Sequence, residues 1–401
     1  MSRRNSARAP EQETRRLASG AYFSFMCLGM TVVALGPALP YLAENTGSSL
    51  GAISSLFVAQ NVGYILGSLA GGRLYDRLPA GRLMAGAFLV MLPALVLVPF
   101  ARTLAVLLPL IGALGLLQGA VDVGGNLLIL RTPPSGRGVR MNALHTSFGA
   151  GALLAPLAMR QAMRWSGGLG WGFRVLALVV LAAAVWMLRL PSPPGRSSQA
   201  DPGGARARPL TVILVVAFLF LAVGAEGAFG GWIFTYASRR GLTDADKAFL
   251  LNSLFWFSLA VGRLAATLLA RRLKSRSLVF ASLAGCLAAV AALLAWPASV
   301  PVAWASTAAF GFLIGPLVAN MITLAAEALP VSGRMTGLFV VGFSLGGIVL
   351  PWLVGQLIEP AGPAALPGVL AAAIILAGGL FQAFLAATRR AGADATSSGS
   401  R

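Results

Sequence analysis

LAVLLPLIGALGLL, Leu104 to Leu117, and VLALVVLAAAVWML, Val175 to Leu188, decide the fold class. Neither run carries a charge, and neither alternates apolar with polar residues. Extended by its neighbours, each is long enough for the roughly 20 residues that cross a hydrocarbon core of about 30 Å. A membrane barrel needs short strands of strict alternation. These runs are therefore predicted to be helices, which satisfy their own backbone hydrogen bonds inside lipid. Similar runs recur along the whole chain.

The chain has 401 residues, 57% hydrophobic and 11% charged, where a soluble domain is about one quarter charged. The reading is an all-α membrane protein of twelve transmembrane helices. Spans are expected near 17–41, 50–72, 83–101, 104–130, 141–163 and 171–190, then 209–236, 247–270, 277–296, 300–326, 335–358 and 365–388. This divides the chain into a tail (1–16), a six-helix half (17–190), a linker (191–208), a second six-helix half (209–388) and a tail (389–401). The linker is rich in Pro, Ser, Gly and Arg and has no apolar periodicity. Both tails are expected to lack structure. The first run is too long, and too poorly followed by a cleavage site, for a secretory signal.

The net charge is +19. In a soluble protein that points to nucleic acid, but there is no soluble basic domain to bind it. The charge instead reports topology. Of the 31 Lys and Arg residues, 23 fall on the side of the two tails, 7 on the other side, and Arg263 within a span. Both termini are thus expected in the cytoplasm. Basic residues are almost all Arg, and Ala and Gly are abundant, which suggests a GC-rich bacterial genome and hence a bacterial inner membrane. Cys27 and Cys286 lie inside apolar runs and form no disulfide framework.

The halves read as repeats. Aligning Pro156 with Pro351 brings Phe148 onto Phe343 and Gly151 onto Gly346. An SLF run recurs at Ser55–Phe57 and Ser253–Phe255. Repeated halves joined by a cytoplasmic linker suit an alternating-access carrier with its site near mid-membrane. There is no phosphate-binding GxxxxGK[ST] for ATP-driven transport, no His/Cys cluster for a metal, and no catalytic triad. An enzyme is not expected, nor any cofactor beyond a coupling proton or sodium ion.

Between spans 2 and 3 the chain reads GGRLYDRLPAGRL, Gly71 to Leu83. This resembles the signature loop of the major facilitator superfamily, at Gly72, Asp76, Arg77, Gly81 and Arg82, with two extra residues between Arg77 and Gly81. Its implied role is a cytoplasmic latch in which Asp76 caps a helix end and pairs with an Arg. A turn carrying positive-inside charge is the alternative. The counterpart at Arg271 to Arg276 has no acidic partner. In spans 4 and 5, Asp122-Val-Gly-Gly-Asn126, Met141-Asn-Ala-Leu-His145 and Phe148 to Pro156 resemble the fucose permease and sodium-dependent glucose transporter branch. Gly230-Gly-Trp232 and Gly262-Arg263 match more loosely. The resemblance implies a sugar-like solute, coupling to protons or sodium, and a monomer. Span 1 lacks the acidic residue of fucose-type proteins, so coupling by two carboxylates in the first half is not supported.

The residues make their own case. Ionisable groups inside spans are costly and face a cavity or a partner. Asp122 and Glu226 could each bind and release a proton, or Asp122 could sit in an ion pair with Arg263 and Glu226 could bond a neighbouring span. Gln118, Asp122 and Asn126 share one helix face by their four-residue spacing, a polar lane suited to hydroxyls. Glu226 lies in a glycine cluster, Gly224 to Gly231, that favours a helix break or a close approach, and Trp232 offers a flat face for a sugar ring. Gln60, Asn61, Asn252 and Asn320 could bind solute or hold helices together. Asn252 and Trp256 share a face and form a sugar platform or core packing. Arg263 and His145 are candidates for a cytoplasmic gate, His145 otherwise being an ordinary helix residue. Gly63, Gly67 and Gly71, and Gly342 and Gly346, form small-residue faces for rocking between halves or for tight packing within one.

Three functions fit: a proton- or sodium-coupled carrier for a sugar-like polar solute, a proton-coupled efflux pump for drug-like or cationic compounds, and a non-transporting membrane receptor. The amide lane favours the first.

Overall fold

The computed structural model describes residues 2–190, 209–269, 272–329 and 333–398. The expected linker, 191–208, and Arg271 of the second basic loop lie outside the described residues. Everything regular among the described residues is helical. In chain order the helices are α1 (Ser2–Val33), α2 (Leu35–Thr46), α3 (Leu50–Ile53), α4 (Ser55–Tyr75), α5 (Ala80–Leu97), α6 (Leu104–Leu130), α7 (Arg137–Ser166) and α8 (Leu169–Leu188). They continue with α9 (Pro209–Arg239), α10 (Ala245–Leu269), α11 (Ser275–Ala295), α12 (Val300–Ala328), α13 (Gly333–Ile358) and α14 (Ala365–Ser398). One span joins α1 to α2 and another joins α3 to α4. The described residues therefore hold twelve long helical elements, one at each expected span.

Eleven of these are long and apolar enough to cross a membrane. The exception is α7, the fifth expected span. Its 30 residues reach about 45 Å at 1.5 Å per residue, so length is not the difference. Arg140, Asn142, His145, Thr146, Ser147, Arg160 and Gln161 dilute its apolar content. Helix also covers most of both tails, where none was expected: α1 starts at Ser2 and α14 runs to Ser398. Glycines end helices where the backbone turns left-handed, at Gly47 (φ 60°) after α2 and Gly167 (φ 72°) after α7.

The chain divides into two compact units at Ser198/Gln199. In unit 1, α4 packs on α6, α1 on α7, α5 on α8 and on α6, α1 on α6, and α7 on α8. The tightest of these crossings bring backbone against backbone. Gly63 and Gly67 of α4 lie on the carbonyls of Gly112 and Leu116, while Gly115 and Gly119 of α6 lie on those of Gln60 and Tyr64. Any side chain at these four positions would collide with main chain. Gly29 and Gly151 do the same for α1 and α7, against Phe148 and Met26.

In unit 2, α9 packs on α13 and α14, α11 on α12 and α14, α10 on α12 and α9, α12 on α9, and α13 on α14. Gly262 of α10 lies on the Phe312 carbonyl, Gly311 and Gly315 of α12 lie on Phe255 and Leu259, and Gly346 of α13 lies on Phe220. The glycine faces are thus taken up within each unit. Gly63 and Gly67 pack on α6, a Cβ on Gly71 would stand 3.1 Å from the Ala120 backbone of α6, and Gly342 and Gly346 pack on α9. Of the two roles considered, packing within one half is the one these contacts display. Unit 2 also has an aromatic core, with Phe229 stacked on Phe310 (centroids 4.5 Å apart) and on Phe255 (4.9 Å).

Candidate functional site

The glycine crossing of α4 and α6 sets the geometry of the polar lane. Because the two backbones touch, side chains beside the contact meet across it. Gln60 Nε2 donates to Gln118 Oε1 at 3.2 Å and to the Val32 carbonyl at 3.4 Å. One turn further along both helices, the Tyr64 hydroxyl hydrogen-bonds the Asp122 carboxylate. Asn126 Nδ2 closes the carboxylate from its other side, 3.4 Å from Asp122 Oδ1, and also donates to the Asp122 carbonyl at 2.9 Å. The lane is therefore a two-rung ladder. Gln60 and Tyr64 stand four residues apart on α4, facing Gln118 and Asp122 four apart on α6. Gln118 is fully buried, and its Nε2 has no hydrogen-bond partner.

Asp122 has no ion pair with any described residue of unit 1, and Arg263, the partner considered for it from sequence, is engaged within unit 2. Arg263 instead binds Glu226: Nη2 lies 3.1 Å from Oε1 and 3.0 Å from Oε2. The carboxylate is 15% exposed and the guanidinium 44%. Two residues given separate roles, ion coupling and gating, thus form one α9–α10 bridge.

The glycine cluster around Glu226 does not break α9, which is continuous from Pro209 to Arg239. It permits close approach instead. Asn252 Nδ2 donates to the Gly230 carbonyl at 2.6 Å, and a side chain on Gly230 would strike the Trp256 ring. Trp232 is a correction. It is fully buried, and its indole N–H donates to the Pro351 carbonyl at 2.8 Å. It fastens α9 to α13, at a proline-bearing turn, rather than presenting a flat face. Asn61 and Asn320 back-bond to their own helices, at the carbonyls of Phe57 and Pro316, each 2.9 Å away.

A second set of polar atoms lies on α9 and α10. Thr235 Oγ1, Asn252 Oδ1, Ser253 Oγ and Trp256 Nε1 are buried without a hydrogen-bond partner. Such groups in a native structure call for an explanation.

The signature loop forms the turn between α4 and α5. Asp76 follows α4 as its C-cap, while Pro79, not Asp76, precedes α5. Asp76, Arg77 and Arg82 are exposed, with Gly72 half-buried and Gly81 buried. Among the described residues of unit 1 the Asp76 side chain caps no helix N-terminus and pairs with no arginine, so the expected latch contacts are not made within unit 1. Tyr75, just before, is fixed instead: it is buried and its hydroxyl donates to the Ala120 carbonyl at 2.9 Å. His145 is exposed on α7 and meets Phe25 edge to face, with centroids 5.8 Å apart. The Phe25 ring also covers Gly125 of α6.

Sequence reading found Gln60, Gln118, Asp122 and Asn126 but missed Tyr64. The signal was present, because Tyr64 stands one turn after Gln60. A tyrosine in an apolar run reads as packing until the facing carboxylate is known.

The major facilitator superfamily family model matches residues 21–351. Sodium-dependent glucose transporter 1 of Xenopus laevis is 29% identical over 359 residues, covering 82% of this chain and 73% of its own. Sodium-dependent glucose transporter 1A of Mus musculus is 28% identical over 374 residues, covering 84% and 88%. Among solved structures, the nucleoside transporter NupG superposes with TM-score 0.75 over 93% of this chain and 99% of its own, at 14% identity, a likeness of fold alone. With eleven apolar spans, an all-helical fold and a match over most of its length, the chain belongs to the major facilitator superfamily, a family of multi-pass membrane transporters of small molecules and not of enzymes.

Proposed function

We propose that this transporter is a secondary active carrier for a sugar-like, hydroxyl-bearing solute, coupled to a proton or sodium ion through Asp122. One observation carries the reading: the α4–α6 ladder places a carboxylate, with no cationic partner among the described residues of unit 1, directly beside an amide pair. A carboxylate inside a span is a functional group by default. The unpartnered amide of Gln118 has the hydrogen-bonding capacity that polyols use. The similarity to sodium-dependent glucose transporters points the same way. Pairing Glu226 with Arg263 weakens the efflux reading, which drew on two free carboxylates for a cationic drug.

The same proposal includes two six-helix repeats working by alternating access. Every helix pairing named for unit 1 recurs six spans later in unit 2. The contact of Gly67 with Leu116 matches that of Gly262 with Phe312, about 195 residues on, the offset that relates Pro156 to Pro351. The SLF runs are three residues out of that register and are not equivalent positions. It also includes a monomer in a bacterial inner membrane, with both termini cytoplasmic.

The test is flux in liposomes holding the purified protein, measured with hexoses, polyols and lipophilic cations under proton or sodium gradients. Uptake of a hexose or polyol driven by one of the gradients supports the proposal. Movement of lipophilic cations alone would replace it with efflux.

A further inference from the structure

We propose that an open groove between α1, α7 and α8 of unit 1 holds the acyl chain of an anionic phospholipid, with its phosphate on Arg16 and Arg189. The groove wall is apolar throughout: Met26 of α1, Leu157 of α7 and Val179 of α8 are among its lining residues. Ala182 lines both this groove and a second opening, formed with Arg16, Trp186, Arg189 and Leu190. Phe23 of the first and Trp186 of the second touch, with ring centroids 5.3 Å apart. The two openings therefore adjoin, one apolar throughout and the other carrying both arginines.

Charge complementarity names the occupant. Arg16 lies on α1 and Arg189 caps the C-terminus of α8, so two arginines from different helices line one opening. Both are exposed, and neither has an acidic partner among the described residues. Two arginines lining one opening give it a positive field suited to an anion, and guanidinium matches phosphate geometry. Trp186 supplies the amphipathic ring that settles at headgroup level. Basic pockets between spans at the cytoplasmic face are suited to anionic headgroups. A chain in the groove and a phosphate on the arginines use both ends at once, which a free phosphate would not.

The test uses the full-length protein in detergent, titrated with phosphatidylglycerol or phosphatidylcholine, with retained lipid counted by native mass spectrometry. Phosphatidylglycerol should be retained in preference. The Arg16→Gln/Arg189→Gln variant should weaken that retention about thirty-fold, from two surface charges acting together, and leave phosphatidylcholine unchanged. Ala182→Trp, which fills the groove and keeps both arginines, should also release phosphatidylglycerol. Glycerol phosphate, a headgroup without chains, should fail to compete. Equal retention of the two lipids, retention unaffected by either variant, or displacement by glycerol phosphate at matched concentration would each overturn the proposal.

Discussion

Units 1 and 2 share their helix pairings and glycine crossings but fill them differently. Of the twelve largest fully buried side chains, nine lie in unit 2, Trp232 and Phe255 among them, and three in unit 1: Phe25, Tyr75 and Phe88. Unit 1 places a polar ladder on the α4–α6 crossing. At the corresponding crossing of α10 and α12, unit 2 has Phe255 and Leu259 where unit 1 has Gln60 and Tyr64. Its charges stand elsewhere, paired as Glu226 and Arg263 between α9 and α10. One scaffold thus carries, among the described residues, a carboxylate with no ion pair inside unit 1 and a neutralised ion pair inside unit 2. Backbone packing at glycines fixes where helices meet, and it leaves the chemistry of the flanking positions free to diverge.

The comparison can be tested first at what the units share. Gly67→Ala and Gly262→Ala each drive a methyl into a carbonyl of the facing helix. Each should cost about 3 kcal/mol, the upper part of the overpacking range, read as matching losses of thermal stability in detergent. Unequal losses would show that the crossings are not equivalent. The next effect separates the units. Tyr64→Phe removes a donor from a carboxylate and should destabilise by about 2 kcal/mol. Leu259→Val, at the corresponding apolar position, should cost under about 1.5 kcal/mol. The smallest effect concerns the bridge. Because Arg263 is nearly half exposed, a double-mutant cycle of Glu226→Gln and Arg263→Gln should give a coupling of about 1 kcal/mol or less. A larger value would make the pair a buried structural element.

The fold was largely legible, because a span announces itself by length and apolarity. Only α7 departs from that pattern, because its polar residues dilute its apolar content without shortening the helix. Within a helix, side-chain relations were also legible: Gln118, Asp122 and Asn126 fall on one face by spacing alone. Relations between helices were not. Glu226 and Arg263 are 37 residues apart, and nothing in their local sequence states that they meet. Glycine is ambiguous for the same reason, since Gly224 to Gly231 could have broken α9 but instead admits Asn252 and Trp256. Trp232 reads from sequence as a flat face for a ligand, and only its burial and its contact with Pro351 make it a strut.

The central claim is that the unpaired carboxylate of unit 1 couples transport to a cation. The most direct measurement compares wild type and Asp122→Asn in liposomes, following both gradient-driven hexose accumulation and gradient-free exchange of hexose. Accumulation should fall to background in the variant while exchange persists, since the amides proposed to bind the solute remain. Accumulation at the wild-type level, with its cation dependence intact, would contradict the assignment of coupling to Asp122.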